Sequence, residues 1–348
     1  MKIDLPKSVL IEKDVSKKID EFLLNLNLGK KCAVFCGEDL QKIVKNKIKK
    51  IKSTEIEIFL PESTEKKSME NCAKKIKNYD FVIGIGGGKT IDIAKYSAFL
   101  AGKKWVAFPT ILSHDGIVSS RAVINENGAK ISVDAEEPSA IIADLGIIKK
   151  APYRNLAAGC GDLLSNISAV EDWKISKEHY HTLVGELSLL SAKAVIEHIN
   201  DIKKKKFHGL EITLWSLICS GFAMNIYSSS RPCSGSEHNF SHALDLLLGE
   251  KNKQIGTRSV SLQPLHGEQV ALGTIISVYL QGGDWKRIKN IMEKFGLPTN
   301  AEEMEISDEV AVKALHMAKN MRKRYTILNK YNLSKAECRK ILKKCEII

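Results

Sequence analysis

Residues 1–152 alternate short apolar runs with stretches of helical periodicity, whereas the chain after Pro152 shows helical periodicity alone. The apolar runs predict strands at 31–36, 55–59, 80–85, 105–109 and 140–144. The run DFVIGI at 80–85 is almost continuously apolar, which is typical of a strand buried on both faces. Because helical segments at 40–50 and 65–78 separate the first three strands, the pattern indicates a parallel sheet covered by helices.

Two further patterns complete the predicted architecture. RAVIN at 121–125 and ISVD at 131–134 predict an antiparallel hairpin that turns at Asn127-Gly128. The second half of the chain predicts helices at 156–175, 182–199, 211–228, 238–248, 267–280, 285–295, 308–325 and 334–343. We therefore predict an α/β protein with a Rossmann-like parallel-sheet domain at 1–152, an all-helical domain at 153–348 and a ligand cleft between them.

Composition narrows the classes of function. The chain has 348 residues, of which 44% are hydrophobic and 27% charged, which is ordinary globular usage and excludes a disordered protein. The 53 Lys and Arg residues against 41 Asp and Glu give a net charge of +12, which favours anionic partners such as nucleotides or phosphates, or serves solubility alone. The densest basic run, 203–206, has no interleaved aromatic residue, so we expect no nucleic-acid partner.

Cysteine usage and hydropathy indicate the compartment. The eight cysteines form no CxxC pair, as expected of small buried residues in a reducing environment. The N-terminus MKIDLPKSVL carries charges where a secretory signal has an apolar core. The longest uncharged apolar stretch, VALGTIISVYL, is shorter than the ~20 residues that span a bilayer. We expect a cytoplasmic protein without membrane insertion.

The segment GIGGGKTIDIAK at 84–95 leaves a buried strand and enters a helix. Three consecutive glycines at 86–88 allow close backbone approach to an anion, and the helix N-terminus directs N–H groups at it. Ile83 and Lys89 stand where a Walker A loop and a dinucleotide fingerprint each require glycine. The segment therefore predicts a nucleotide site of a third kind, with a ligand-free turn as the alternative.

The segment FPTILSHDGIVSS at 108–120 follows the next strand. Thr110 and Ser113 are able to hydrogen-bond a cofactor. Asp115 lies in a glycine-flanked loop, where a carboxylate accepts from a substrate hydroxyl, although such a residue alone is more often a turn or cap.

Three polar clusters occur in the second half, at 157–166, 234–245 and 264–273. They offer Asp162, either His238 or His242, and His266, which fit a catalytic zinc site with three protein ligands and one open position. Each residue alone is more often a cap or a core residue. His238 and His242 share a helix face because they are spaced i, i+4, and the spacing does not decide which of them binds metal.

GGGKTIDIAK resembles the GGGSxxDxxK signature of the superfamily of iron-dependent alcohol dehydrogenases, glycerol dehydrogenases and dehydroquinate synthases, with Lys89 in place of the usual Ser. The resemblance implies that the loop binds the NAD(P) pyrophosphate. It further implies that the first histidine of HxxxH, His238, binds metal and that His242 faces substrate. HGE carries His266, and Asp162 matches the aspartate of the dehydrogenases, where dehydroquinate synthases have glutamate.

PTILSHDGIVS at 109–119, SSSRPCSGSEH at 228–238 and RYTIL at 324–328 resemble the narrower family of sn-glycerol-1-phosphate dehydrogenases, which make the archaeal lipid backbone. The resemblance implies reversible reduction of dihydroxyacetone phosphate with NADPH or NADH. The implied metal is Zn²⁺ on Asp162, His238 and His266. The implied catalytic residues are Asp115 and His242, and the implied substrate contacts are Asp115, Asp162, Arg231 and His242. The implied cofactor contacts are Gly86, Gly87, Gly88, Lys89, Thr90, Asp92, Thr110, Ser113 and Ser119.

Three other functions stay open at this point: a glycerol dehydrogenase for unphosphorylated polyols, a dehydroquinate-synthase-like lyase and a metal-free nucleotide-binding module. We expect a homo-oligomer. We also expect NADPH to be accepted at least as well as NADH. The strand KCAVFC runs into Gly37, where polyol dehydrogenases of the superfamily often carry Asp, although Glu38 or Asp39 could swing into the same space.

Overall fold

The computed structural model describes residues 3, 5–61, 63–126, 129–255 and 263–348. Within these ranges the first part of the chain forms the strands β1 (Ser8–Glu12), β2 (Lys31–Cys36), β3 (Glu55–Phe59), β4 (Phe81–Gly86), β5 (Lys104–Pro109), β6 (Arg121–Glu126), β7 (Ala129–Asp134) and β8 (Ala140–Asp144). The helices among them are α1 (Ile19–Leu26), α2 (Gln41–Ile48), α3 (Lys66–Lys75) and α4 (Gly88–Leu100). The five predicted strands of the sheet are confirmed.

Six strands form one sheet in the order β1-β8-β5-β4-β2-β3, and every neighbouring pair is parallel. β4 lies inside the sheet with all six of its residues buried, as its continuous apolar run predicted. Cys36 at the end of β2 pairs with Ile85, and Gly86 at the end of β4 pairs with Pro109 of β5. The carboxyl ends of β2, β4 and β5 therefore meet at one edge, where sheets of this kind bind ligands.

The sequence analysis missed β1. Its residues, SVLIE, are all half-buried, so the strand shows neither a continuous apolar run nor a clear alternation. β1 lies at the sheet edge and pairs with β8, far along the chain, with Ser8 opposite Ala140. No local signal reports such a pairing.

The predicted hairpin is confirmed as the antiparallel pair β6 and β7, with Arg121 opposite Asp134. Its predicted turn at Asn127-Gly128 lies outside the described residues. The hairpin reaches the helical part of the molecule through Lys130, whose Nζ lies 2.9 Å from Oδ1 of Asp245.

The described residues after Pro152 form helices and no strand, as predicted. The helices that follow β8 are α5 (Leu145–Ile148), α6 (Tyr153–Ile175), α7 (Thr182–Glu197), α8 (Ile199–Lys203), α9 (Phe207–Tyr227), α10 (Ser236–Ile255), α11 (His266–Leu280), α12 (Trp285–Phe295), α13 (Asp308–Ala318) and α14 (Lys335–Lys344). One hydrophobic cluster runs from the sheet into these helices, and the division at residue 152 stays a prediction.

Two helix predictions need correction. The segment 182–199 contains α7 and the start of a second short helix, α8. The helix predicted over 308–325 ends at Ala318. Arg322 and Arg324 both reach the residues around Ser234. Two positions apart, they would point to different sides of a helix, so their shared direction requires irregular backbone.

Among the described residues, α9 is the one helix that is long and apolar enough to cross a membrane by length and composition. The search for uncharged runs missed it because Glu211 interrupts the apolar sequence. In the fold, 67% of its most apolar window is buried inside the protein, as in the core helix of a globular domain.

Candidate active site

The glycine loop connects β4 directly to α4. Gly87 is the N-cap of α4, and no side chain caps the helix. A Cβ atom on Gly88 would lie 2.1 Å from Nε2 of His114, so only glycine fits beneath this imidazole. The first amides of α4 lack helical acceptors, as at every helix start, and they point out of the strand edge. The loop therefore offers an anion-binding cradle.

The segment after β5 lies against this loop. The amide of Thr110 donates to the carbonyl of Gly86 (3.0 Å). Lys95, on α4, is fully buried and its Nζ donates to the carbonyls of Gly116 (2.7 Å) and Arg121 (2.5 Å). Asp92 lies 3.5 Å from the same Nζ. The Asp92–Lys95 pair of the signature thus holds the 116–121 backbone.

Asp162, His238 and His266 converge from three helices. Nε2 of His238 lies 3.7 Å from Oδ1 of Asp162, and Nε2 of His266 lies 3.6 Å from the same oxygen. All three ligand atoms lie within 4.8 Å of one another. His242, one turn beyond His238 on α10, is not part of this group.

Neighbouring groups orient the three side chains. Nδ1 of His238 lies 2.9 Å from Oε1 of Glu237, which leaves Nε2 facing Asp162. The amide of Asp115 donates to Oδ2 of Asp162 (3.0 Å), so Oδ1 faces the histidines. Carboxylate support of this kind behind a ligating imidazole is typical of metal sites. The oxygen and two imidazole nitrogens therefore fit a metal ion of the zinc or iron type.

The electrostatics of the group are strongly coupled. Burial opposes charge on His238, but Asp162 and Glu237 outweigh it and raise the pKa of His238 to about 9. Burial likewise opposes charge on Asp162, but the histidines lower the pKa of this carboxyl to about 2. Burial lowers the pKa of His266 to about 4. Burial and the charge of Asp162 raise the pKa of Asp115 to about 7. The site concentrates negative charge at Asp162.

A cavity of about 400 Å³ extends from the glycine loop to the three convergent side chains. Four of the predicted cofactor residues line it: Gly88, Lys89, Asp92 and Ser119. The lining does not include the other five, which are Gly86, Gly87, Thr90, Thr110 and Ser113. Asp115, His238, His242 and His266 line the same cavity. An adjoining space of about 760 Å³ shares His242 and Arg322 with it.

The structure corrects the interpretation of Arg231. Its guanidinium is fully buried, donates to Oε1 of Glu178 (2.5 Å) and to the carbonyl of Tyr325 (2.7 Å), and does not line the cavity. An arginine held in this way anchors the 320s segment and is not available to substrate. The arginines that line the adjoining cavities are Arg121, Arg322 and Arg324.

His242 differs in its surroundings from His238. Its Nε2 accepts from the guanidinium of Arg322. Burial and the positive charge of Arg322 hold the pKa of His242 well below its usual range. His242 is therefore neutral, with Nε2 turned to the arginine.

Sequence reasoning missed several supporting residues. Ser220 donates to Oδ2 of Asp115 (2.8 Å), and Asn225 Nδ2 donates to the carbonyl of Val118 (3.3 Å), so α9 fixes the 115–120 loop. Glu237 stands directly before His238 in GSEH, which is the one local signal that could have identified it.

Comparisons with known proteins agree in direction. The profile of the family described as iron-containing alcohol dehydrogenase matches residues 10–152. The chain is 40% identical to a glycerol-1-phosphate dehydrogenase (NAD(P)+) of Thermococcus sibiricus, with 98% of this chain and 97% of that protein covered. It is 41% identical to the protein of the same name from Sulfurisphaera tokodaii, with 99% and 98% covered.

Solved structures confirm the fold class. A glycerol dehydrogenase from Schizosaccharomyces pombe has a TM-score of 0.79 at 19% identity, with 99% of this chain and 90% of that chain covered. A probable glycerol dehydrogenase from Sinorhizobium meliloti 1021 has a TM-score of 0.77 at 21% identity, with 99% and 98% covered. These identities establish a shared fold, with its parallel sheet followed by helices.

Proposed function

This chain belongs to the family of glycerol-1-phosphate dehydrogenases, which are NAD(P)-dependent oxidoreductases, and we propose that it interconverts dihydroxyacetone phosphate and sn-glycerol 1-phosphate. The product would serve as the backbone of archaeal membrane phospholipids. One observation carries the proposal within the structure: the cavity that begins at the glycine loop ends at Asp162, His238 and His266. The relatives give no support to the lyase, to the enzyme of unphosphorylated polyols or to the metal-free module.

We propose that Asp162 Oδ1 and the Nε2 atoms of His238 and His266 hold a Zn²⁺ ion. The donor set, its burial and the support from Glu237 fit such an ion. The bound metal would act as a Lewis acid on the substrate carbonyl, and the nicotinamide would supply the hydride. Iron, which the description of the family profile names, has similar ligand preferences, so metal analysis has to decide between them.

The cofactor is proposed to bind along the sheet edge. The amides at the start of α4 would hold the pyrophosphate, with Gly88 giving close approach and Lys89 adding positive charge at the cavity wall. Ser119, which also lines the cavity, offers a hydroxyl. Gly86, Gly87, Thr90 and Thr110 shape the loop rather than contact the ligand through side chains.

Asp115 and His242 are proposed to orient the substrate hydroxyls. Both line the cavity, and the Asp115 backbone contacts Asp162, so its carboxylate stands beside the metal position. The hydroxyl of Ser220 fixes one Asp115 oxygen. Asp115 is thus the group best placed to hold the proton that the product alcohol requires.

The test is a steady-state assay of the purified protein with dihydroxyacetone phosphate and NADH or NADPH, followed by chiral analysis of the product. We expect turnover that chelation removes and that added Zn²⁺ restores, with sn-glycerol 1-phosphate as the product. Unphosphorylated dihydroxyacetone is the matched control. Equal efficiency with both substrates, or full activity without metal, would contradict the proposal.

The cellular setting is proposed on weaker grounds. We propose a cytoplasmic homo-oligomer that binds neither nucleic acid nor membrane. Light scattering of the purified protein measures the number of chains directly.

A further inference from the structure

Two arginines converge on one loop because the chain leaves helical geometry after Ala318. Arg322 donates through Nη1 to Oγ of Ser234 (2.7 Å) and through Nη2 to Nε2 of His242. Arg324 donates through Nη2 to Oγ of Ser230 (3.0 Å) and through Nη1 to the carbonyl of Ser234. Two guanidinium groups therefore lie side by side over residues 230–234.

The charge of this pair is not balanced. All four acceptors are neutral, and no carboxylate of the described residues lies within ion-pair distance of either guanidinium. The adjacent Arg231, by contrast, pairs with Glu178 at 2.5 Å. Burial, together with the neighbouring guanidinium, lowers the pKa of Arg322 to about 10, which still leaves it protonated at neutral pH. Two partly buried cations without a counter-charge favour an anionic ligand.

The pair faces the substrate cavity. Arg322 lines the cavity that also contains His238 and His266, and both arginines line the adjoining space. Arg322 contacts His242, which lies one helical turn, ~5.4 Å, beyond His238 on α10. In dihydroxyacetone phosphate, one methylene and one ester oxygen separate the carbonyl carbon from phosphorus. A carbonyl at His238 therefore places the phosphate near His242 and Arg322.

We propose that Arg322 and Arg324, with the hydroxyl of Ser230, form the subsite for the phosphate of the substrate, a three-carbon phosphomonoester. This subsite rests on the proposed function and deepens it. Planar guanidinium groups match phosphate oxygens through paired donors, which lysine cannot reproduce. The neutral state of His242 suits this arrangement, because it accepts from Arg322 and keeps the fork oriented.

The variants Arg322→Gln and Arg324→Gln test the subsite, with Arg324→Lys as a milder change that keeps the charge. Each Gln variant should raise KM for dihydroxyacetone phosphate about 10- to 100-fold, because a charge-assisted hydrogen bond is removed. Efficiency with unphosphorylated dihydroxyacetone should stay within about 3-fold of the wild type. Inorganic phosphate should inhibit the wild type competitively, and inhibition should weaken in the variants by a similar factor.

Arg339→Gln is the matched control. This arginine lies on α14, pairs with the exposed Glu309 and should give wild-type kinetics. The same phosphate chemistry could come from the 2′-phosphate of NADPH, so the ratio of NADPH to NADH efficiency is measured in every variant and should stay constant. A changed ratio would assign the arginines to the cofactor instead.

Three outcomes separate the hypotheses. A wild type that does not distinguish the phosphorylated from the unphosphorylated substrate would refute the proposed function itself. A wild type that does distinguish them, with variants that keep the same KM, would refute only the subsite. Equal losses with both substrates would indicate a structural role, and Arg324→Lys with unchanged unfolding temperature but raised KM would exclude that explanation.

Discussion

Asp39 should decide how the protein discriminates between NADPH and NADH. The end of β2 lies beside the glycine loop, since Cys36 pairs with Ile85, and in parallel sheets of this kind the adjacent strand end contacts the adenosine ribose. Gly37 leaves room there, but a Cβ atom on Gly37 would lie 2.6 Å from Oδ1 of Asp39. The Asp39 carboxylate therefore occupies the space that the glycine opens, which reverses the expectation that NADPH is favoured.

The size of the effect follows from charge and exposure. Asp39 is exposed, so its interaction with a ribose phosphate is screened as in water. A phosphate with a charge near −2 at a distance of about 5 Å is repelled by roughly 1.5–2 kcal/mol in that dielectric. Asp39→Asn should therefore raise kcat/KM with NADPH relative to NADH about 10- to 25-fold, and added salt should reduce the difference.

The assay is initial-rate oxidation of each reduced nicotinamide at saturating substrate, in the wild type and in Asp39→Asn. Glu38→Gln is the control, because Glu38 is exposed on the same turn and no contact places it against Gly37. The reasoning fails if Asp39→Asn leaves the cofactor ratio unchanged, or if the wild type already prefers NADPH strongly.

Three further predictions concern the metal group. Asp162→Ala or His266→Ala should lower the metal content and abolish turnover while NADPH still binds, as elemental analysis and nicotinamide fluorescence would show; full activity of metal-free protein would contradict this. His242→Ala should keep the metal and lose most of the rate, whereas His238→Ala should lose the metal; equal metal loss in both would reverse their roles. Glu237→Gln should weaken metal affinity about 10- to 100-fold in a chelator competition, since it holds Nδ1 of His238, and unchanged affinity would make Glu237 purely structural.

Much of the fold was predictable because its signals are local. Strands that are buried on both faces, such as β4, show a continuous apolar run, and the hairpin β6–β7 shows its own turn residues. β1 gave no such signal, because a half-buried edge strand depends on its partner β8 for definition. The candidate metal group could be proposed because each of its three residues stands in a polar cluster with family resemblance.

The phosphate subsite could not be predicted, because it depends on where a helix ends. Residues 308–325 carry helical periodicity, and nothing local in MRKRY shows that the helix stops at Ala318. The stop is tertiary: the irregular chain lets Arg322 and Arg324 reach Ser234 from the same side. Arg231 stood in the more suggestive motif, but Glu178 neutralises it, and a contact between residues so far apart in sequence leaves no local pattern.

The hairpin shows how the two parts of the chain complete one cavity. Ile131 and Ser132 of β7 form part of its wall, opposite His238, and Lys130 pairs with Asp245 on α10. Gln269 of α11 also donates to Asp245 (3.2 Å), so one carboxylate connects the hairpin to the helices that carry His238 and His266. Because Lys130 is largely exposed, the pair contributes only about 0–1 kcal/mol to folding. Its effect is therefore one of position: it holds the cavity wall, and one more cation, on the same side as the arginine pair.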